Sequence, residues 1–345
     1  MLKLDFFEAG KGDSFMLTWN EAQMHRLLID FGNQGTYRFI KSKVKDFGKG
    51  DSVIVTHVDY DHIGGFFKWL TDKQSSLSSS ASFYMNTPQL VLCPPESDLV
   101  GIEHGIELEQ FLISKKINCI PLYLDENNEN EIIINGLALT ILSPPEKVVK
   151  ELIGQWTANE IYKEYQLRNN EESHKVATKS ELLADIDDIL KNPPAPHKWE
   201  EDLLNSSSIA FILEYKESKL LFLGDANPVL ICDELKRLGY TKDKRLEVDI
   251  IKISHHGSKR NTTPELLQLL KCSNYLISTD SSGPYYHPSR ETLILIDKYG
   301  RPSDQTPLVI YSNYPLKLDK LLSKDEQNSL NFNFKPVSQL TFPLK

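Results

Sequence analysis

Apolar residues in the first third of the chain fall into short runs broken by glycine, asparagine and aspartate, a pattern that predicts strands and tight turns. Lys3–Glu8 and Ser14–Thr18 read as two strands joined by Ala9-Gly10-Lys11-Gly12-Asp13. Arg26–Asp30 reads as a third strand and Val53–Val55 as a buried one, with helical spacing over Thr36–Lys45 between them. A helix with an aromatic stripe is expected over Gly64–Leu70, then strands near Phe83–Asn86 and Leu90–Cys93 and a helix near Gly105–Lys115. Ile117–Tyr123, Glu131–Ile134 and Leu137–Leu142 are strand-like, and Asn135-Gly136 is a hairpin turn, because both residues tolerate positive φ.

The pattern changes at Glu146. From there to Leu204 the chain is rich in Lys, Glu, Asn and Leu at helical spacing, interrupted by Asn192-Pro193-Pro194-Ala195-Pro196. We read 146–204 as a charged helical insertion within one domain spanning 1–345, and as a surface open to a protein partner. Strand patterning resumes at Ser208–Tyr215 and Lys219–Leu223, followed by a helix from Pro228 to Leu238. Val248–Ile253 and Tyr275–Ser278 are strands, Arg290–Tyr299 is a helix, and Leu308–Tyr311 is expected to be the last strand. Two β-rich halves, each ending in helices, make this an α/β chain with layered αββα architecture.

Composition narrows the function classes only modestly. Hydrophobic residues at 40% and charged residues at 25% of 345 suit a globular chain with a substantial core. No apolar run approaches the roughly 20 residues of a membrane span, and the N-terminus has no secretory pattern, so a cytoplasmic protein without membrane contact is expected. The net charge of −9 disfavours a protein that coats duplex nucleic acid. Cys93, Cys119, Cys232 and Cys272 form no Cys-x-x-Cys pair and read as reduced thiols.

Four segments share one form, an apolar strand followed by a polar cluster: Leu27-Leu28-Ile29-Asp30, Val53-Ile54-Val55-Thr56-His57, Leu221-Phe222-Leu223-Gly224-Asp225 and Ile250-Ile251-Lys252-Ile253-Ser254-His255-His256. Groups at strand ends are held by a rigid scaffold. The richest cluster, Thr56-His57-Val58-Asp59-Tyr60-Asp61-His62-Ile63-Gly64-Gly65, packs two imidazoles and two carboxylates into six residues. Two divalent cations roughly 3.5–4 Å apart need a bridging anion and can clamp both oxygens of an in-line displacement. Asp225 is the natural bridge. His57 and Asp59 would hold one ion, Asp61 and His62 the other, and His255 or His256 would complete the set from the opposite half. Asp13 and Asp30 are read as groups that orient loops and ligands. His287, in Tyr286-His287-Pro288, is expected at the site; His25, His104, His174 and His197 are not.

These motifs resemble the metallo-β-lactamase fold superfamily, and within it the hydrolase domain of the ComEC DNA-uptake proteins and its soluble relatives. The resemblance runs through Ala9-Gly10-Lys11-Gly12-Asp13-Ser14, Leu28-Ile29-Asp30-Phe31-Gly32, the Thr56–Gly65 cluster, Leu142-Ser143-Pro144-Pro145, Asn205-Ser206-Ser207-Ser208, Leu223-Gly224-Asp225-Ala226, Ile253-Ser254-His255-His256-Gly257-Ser258 and His287-Pro288-Ser289-Arg290-Glu291. It implies a four-layer αββα sandwich with metals at the edge between its halves. Asp59 stands where the superfamily usually has a second histidine, and Asn205–Ser208 where it has a mid-chain histidine ligand. Both replacements enrich the site in oxygen and favour manganese or magnesium, with zinc retained as an alternative.

The expected function is a metal-dependent phosphodiesterase or nuclease, with two divalent ions as cofactor. A small phosphodiester, such as a cyclic nucleotide or phosphocholine ester, is the alternative substrate. An accessory role in a multi-protein system such as phage defence is a third reading. Asp61, with His256 or His287, is assigned to the chemistry. Asn205, Ser208, Ser258, Lys259 and Arg260 are assigned to holding the substrate.

Overall fold

The computed structural model describes residues 1–72, 80–86, 108, 111–112, 114–125, 130–157, 185–282, 287–303 and 306–344. The strand expected at Leu90–Cys93, Cys93, His104, His174 and residues 158–184 of the expected insertion lie outside these residues.

The first half of the chain supplies β1 (Leu2–Phe6), β2 (Phe15–Asn20), β3 (Met24–Ile29), β4 (Asp51–Ile54), β5 (Ser82–Tyr84) and β6 (Asn118–Ile120), with helices α1 (Tyr37–Val44) and α2 (Tyr60–Thr71). The second supplies β7 (Glu131–Ile134), β8 (Leu137–Ser143), β9 (Ala210–Tyr215), β10 (Ser218–Phe222), β11 (Leu246–Glu247), β12 (Ile250–Lys252), β13 (Leu270–Lys271), β14 (Asn274–Ile277), β15 (Leu308–Ser312), β16 (Phe332–Pro336) and β17 (Gln339–Phe342). Its helices are α3 (Glu146–Thr157), α4 (Ile186–Lys191), α5 (Leu203–Ser206), α6 (Pro228–Arg237), α7 (Pro264–Leu269), α8 (Arg290–Tyr299), α9 (Leu318–Leu321) and α10 (Lys324–Ser329).

One sheet runs β17-β1-β2-β3-β4-β5-β6 and the other β16-β15-β14-β12-β10-β9-β8-β7; β11 and β13 form a small pair. In both large sheets an antiparallel stretch passes into a parallel one, at β3–β4 in the first and β10–β12 in the second. The hydrophobic runs account for the layering. Strands buried on both faces read as continuous apolar segments, and alternate residues go to opposite cores. Leu27, Ile29, Ile54, Leu220, Phe222 and Ile250 join residues of both sheets in a central core. Leu28, Val53 and Val55 face a cluster with Ile40, Ile63 and Phe66 of α1 and α2. Leu221, Leu223, Ile251 and Ile253 face another with Ile231, Leu267 and Leu293 of α6, α7 and α8. The result is the four-layer αββα sandwich expected from the sequence.

Several expectations need adjustment. Leu308–Ser312 is not the last strand: β16 pairs parallel to it, and β17 pairs antiparallel to β1, matching Leu2 with Phe342. The helix expected from Gly64 starts four residues earlier, at Tyr60, so Asp61 and His62 lie in its first turn. The Asn135-Gly136 turn has φ of 48° and 87°, as a two-residue hairpin requires. Cys232 and Cys272 are buried free thiols, both pushed up to about 12 chiefly by burial, and Cys119 is a half-buried thiol.

Candidate metal centre

The topology brings the polar clusters to one edge. β3 is parallel to β4, and β10, β12 and β14 are mutually parallel, so the residues after each strand emerge on the same side of their sheet. The antiparallel pairing of Phe15 with Ile29 adds the Gly12–Ser14 turn to that edge. Asp30, His57, Asp225, His255 and Ser278 all follow strand ends within a few residues.

Three imidazoles are oriented by bonds from behind. His62 Nδ1 donates to Asp30 Oδ2 at 2.8 Å. Asp30 also accepts from the Thr56 amide (2.8 Å) and hydroxyl (2.6 Å). Because that hydroxyl gives its proton to Asp30, its oxygen is an acceptor for His57 Nδ1, 3.2 Å away. His256 Nδ1 donates to the Ser278 carbonyl at 2.9 Å. When neutral, each ring is thereby held in the tautomer that leaves Nε2 with a lone pair, the usual arrangement behind a metal-bound histidine.

Those Nε2 atoms converge on carboxylates. His62 Nε2 and His256 Nε2 each lie 3.5 Å from Asp225 Oδ2, and His255 Nε2 lies 3.9 Å from the same oxygen. His256 Nε2 is 3.6 Å from Asp61 Oδ2, and His57 Nε2 is 3.5 Å from Asp59 Oδ2. His57, His62 and Asp225 form one group with ligand atoms within 4.8 Å of one another, and Asp61, His62 and His256 form a second. His57, His62 and His256 are buried, yet none of their Nε2 atoms has a hydrogen-bond partner. Buried polar atoms are seldom left unpaired, so these residues fit the binding of divalent metal. His57 and Asp59 would serve one side, Asp61, His62 and His256 the other, with Asp225 shared.

The electrostatics agree. Burial works against charge on His62 and His256, but Asp225 with Asp30, and Asp225 with Asp13, raise both imidazoles well above their ordinary range. Burial likewise opposes ionisation of Asp225, yet the surrounding histidines, His256 foremost, hold it well below the usual carboxylate range. Asp61 is also depressed, against burial, by the adjacent His256 and then His62 imidazoles. The site draws positive charge to the places where cations would sit.

Backbone strain helps aim the groups. His255 (φ 48°) and His256 (φ 52°) are consecutive left-handed residues, and Asp30 is a third (φ 56°). Such conformations are uncommon outside glycine and cluster at functional sites. They let a short turn present His255 and His256 together to Asp225.

Other expected residues fall differently. His287 sits with its ring centre 5.8 Å from that of His255, and burial, then His255 and His256, push it down to about 3. It is a neutral imidazole at neutral pH, which suits a hydrogen-bonding contact better than a proton donor. His256, with Nδ1 engaged and Nε2 facing two carboxylates, has the place of a ligand. Ser208 is fully buried, and its hydroxyl accepts from the Asp225 amide at 3.2 Å. It therefore positions Asp225 and does not face a substrate. Buried Asn205 donates to Asp202 at 2.9 Å. Ser258 donates its amide to the His255 carbonyl at 2.8 Å, and Lys259 lies 3.7 Å from Glu291. Arg260 is exposed and lines a small cleft with His197, Asp202, Ser206, Asp225 and Asn261. His25 is buried away from the cluster, its Nδ1 2.9 Å from the Gly50 carbonyl.

Two contributors are absent from the sequence reading. Lys252 is 1% exposed and contacts Asp13. Its signal was a lysine in the middle of Ile250-Ile251-Lys252-Ile253. Asn261 donates to the Asp225 carbonyl at 3.2 Å, and nothing in its local sequence marks it.

No family model matches the chain. A stretch of 54 residues, 16% of this chain, is 33% identical to ComE operon protein 3 of Bacillus subtilis (strain 168) and spans 7% of that protein. Among solved structures, the chain is similar to Zn(2+)-bound PqqB from Methylobacterium extorquens, with TM-score 0.46 and 9% identity over 99% of this chain and 100% of that one. It is also similar to the metallo-beta-lactamase fold protein YhfI from Bacillus subtilis, with TM-score 0.45 and 9% identity over 99% and 100%.

Proposed function

We propose that this chain is a metal-dependent hydrolase that cleaves phosphodiesters, with a nuclease activity as the leading reading. The observation that carries it is Asp225 Oδ2, placed 3.5 Å from two buried imidazole nitrogens that have no hydrogen-bond partner. Two divalent cations held there would supply Lewis-acid activation of water and neutralise charge on a phosphoryl group. The chain's own residues do the rest. Asp30, Thr56 and Ser278 fix the imidazoles, Asn261 and Ser208 fix Asp225, and the half-buried His255 with His287 would bond the substrate's phosphate at the mouth.

Oxygen-rich donors favour manganese or magnesium. The motif resemblance to the ComEC hydrolase domain, together with the short stretch similar to ComE operon protein 3, supports a nucleic-acid substrate. The net charge of −9 favours short or single-stranded substrates over a long duplex. The test is hydrolysis of bis(p-nitrophenyl) phosphate and of single-stranded DNA by the purified chain with manganese, magnesium or zinc, beside Asp225→Ala. Metal-dependent cleavage of both that is lost in the variant is the expected result. Full turnover by Asp225→Ala would remove the shared-ligand assignment. Cleavage of the small ester alone would replace the nuclease reading with a small-molecule phosphodiesterase.

A further inference from the structure

Lys252 is the one buried lysine among the described residues. Its ammonium donates to the Gly224 carbonyl at 3.0 Å, pairs with the Asp13 carboxylate, and lies 3.7 Å from Asp225 Oδ1. The two oxygens of Asp225 thus face different company. Oδ2 meets His62, His255 and His256, while Oδ1 meets Lys252 and has no hydrogen-bond partner. The same lysine holds the backbone at Gly224, the residue before Asp225.

From this geometry we infer that Lys252 is a positioning residue that forces Asp225 to share one oxygen, Oδ2, between the two cations. The inference rests on the proposed dinuclear site and adds how its bridge is made. A carboxylate free to turn binds one ion through both oxygens or spans two ions with one each. An ammonium fixed beside Oδ1 disfavours both, because a cation at Oδ1 would meet a like charge in a poorly solvated place. Charge balance points the same way. Asp13, Asp30, Asp59, Asp61 and Asp225 surround the site, and two divalent cations with one ammonium neutralise five carboxylates. Lys252 is therefore the group behind the bridge, with Asp13 as its anchor, and Asp13 Oδ1 lies 3.4 Å from His256 Nδ1.

The test compares wild type, Lys252→Met, and the double variant Asp13→Asn with Lys252→Met, all loaded with manganese. The double variant guards against misfolding, since removing both charges of a buried pair leaves no uncompensated ion. Metal content, the exchange-coupled electron paramagnetic resonance signal of the manganese pair, and kcat with KM are read for each. Wild type should hold two coupled ions. Both variants should lose or alter the coupled signal, with kcat lower by about 10- to 100-fold, the usual cost of removing a group behind a metal ligand, and KM little changed. A double variant with wild-type coupling and kcat would overturn the inference alone. Wild type holding fewer than two ions would overturn it together with the proposed function.

Discussion

At the scale of single residues, the site depends on atoms that are missing as much as on those present. A Cβ added to Gly12 would stand 1.7 Å from the Asp61 carbonyl oxygen, so the turn before β2 is pressed directly on the first turn of α2. No side chain fits there, and the obstacle is backbone, which cannot swing aside. Gly12→Ala should cost about 1–3 kcal/mol, the range for overpacking a tight contact. It should also depress metal-dependent turnover by moving Asp61. Denaturant midpoints and a phosphodiester assay on the same preparation check this; wild-type values in both would mean that the two segments are not in contact. The residues behind the ligands were the hardest to read. His57, Asp59, Asp61, His62, Asp225 and the His255-His256 pair stand out in the sequence because polar groups follow apolar runs. Lys252 and Asn261 do not, because their roles come from contacts with Asp13 and Asp225, far away in the chain. The choice between His255 and His256 was equally hidden, since it depends on a left-handed backbone that aims the more buried ring at Asp61.

At the scale of elements, α2 shows why a boundary can be misplaced while its neighbours are found. Gly64-Gly65 reads locally as the point where a helix opens, because glycine weakens helix interiors. Here it lies inside one, since a Cβ on Gly65 would come within 2.3 Å of the Phe31 carbonyl oxygen. Close packing of the helix on the strand end overrides propensity. The N-terminus of α10 offers a cleaner test of an element's own chemistry. The Ser323 hydroxyl accepts from the Glu326 amide at 3.3 Å, and Glu326 accepts from the Ser323 amide at 2.8 Å, a capping box. The same carboxylate accepts from Arg290 Nε at 2.9 Å at the start of α8. Burial would raise Glu326, but these bonds, Arg290's first, hold it below its ordinary value. A depressed carboxyl stabilises the fold fully above its unfolded value, near 4.5, and loses that contribution as pH falls through the folded one. Glu326→Gln should therefore be less stable than wild type by about 1 kcal/mol at neutral pH, the usual size of a lost cap interaction. The gap should narrow below pH 4.5. A gap that is constant with pH would show that the charge contributes nothing.

The whole molecule is closed by strands that the pattern did not announce. Asn333, Lys335 and Pro336 interrupt β16, and β17 is short and half polar, so neither stands out as a core strand. Their place is set by pairing: β17 covers the outer edge of β1, and Phe342 is buried between the sheets. Removing residues 331–345 should expose that edge and open the central core. Aggregation, or a large loss of stability, is expected in size-exclusion chromatography and thermal melting.

The same architecture places the candidate metal centre where the two halves meet. His57, Asp59, Asp61 and His62 come from the first half, and Asp225, His255 and His256 from the second. Ions bound there would tie β4 and α2 to β10 and β12, and would offset the carboxylates gathered at the site. Binding to the folded chain alone adds RT ln(1 + [L]/Kd), about 2.7 kcal/mol when the ion is at 100 times its Kd. In a chain of this size that is a rise of a few degrees in Tm. Chelation should therefore lower Tm by that amount, and excess manganese should restore it. Asp225→Ala, which removes the proposed shared ligand, should melt at one temperature whether manganese or chelator is present. If wild type also melts identically in both, the ions do not bridge the halves, and the convergence of unpartnered imidazoles on Asp225 would need another occupant.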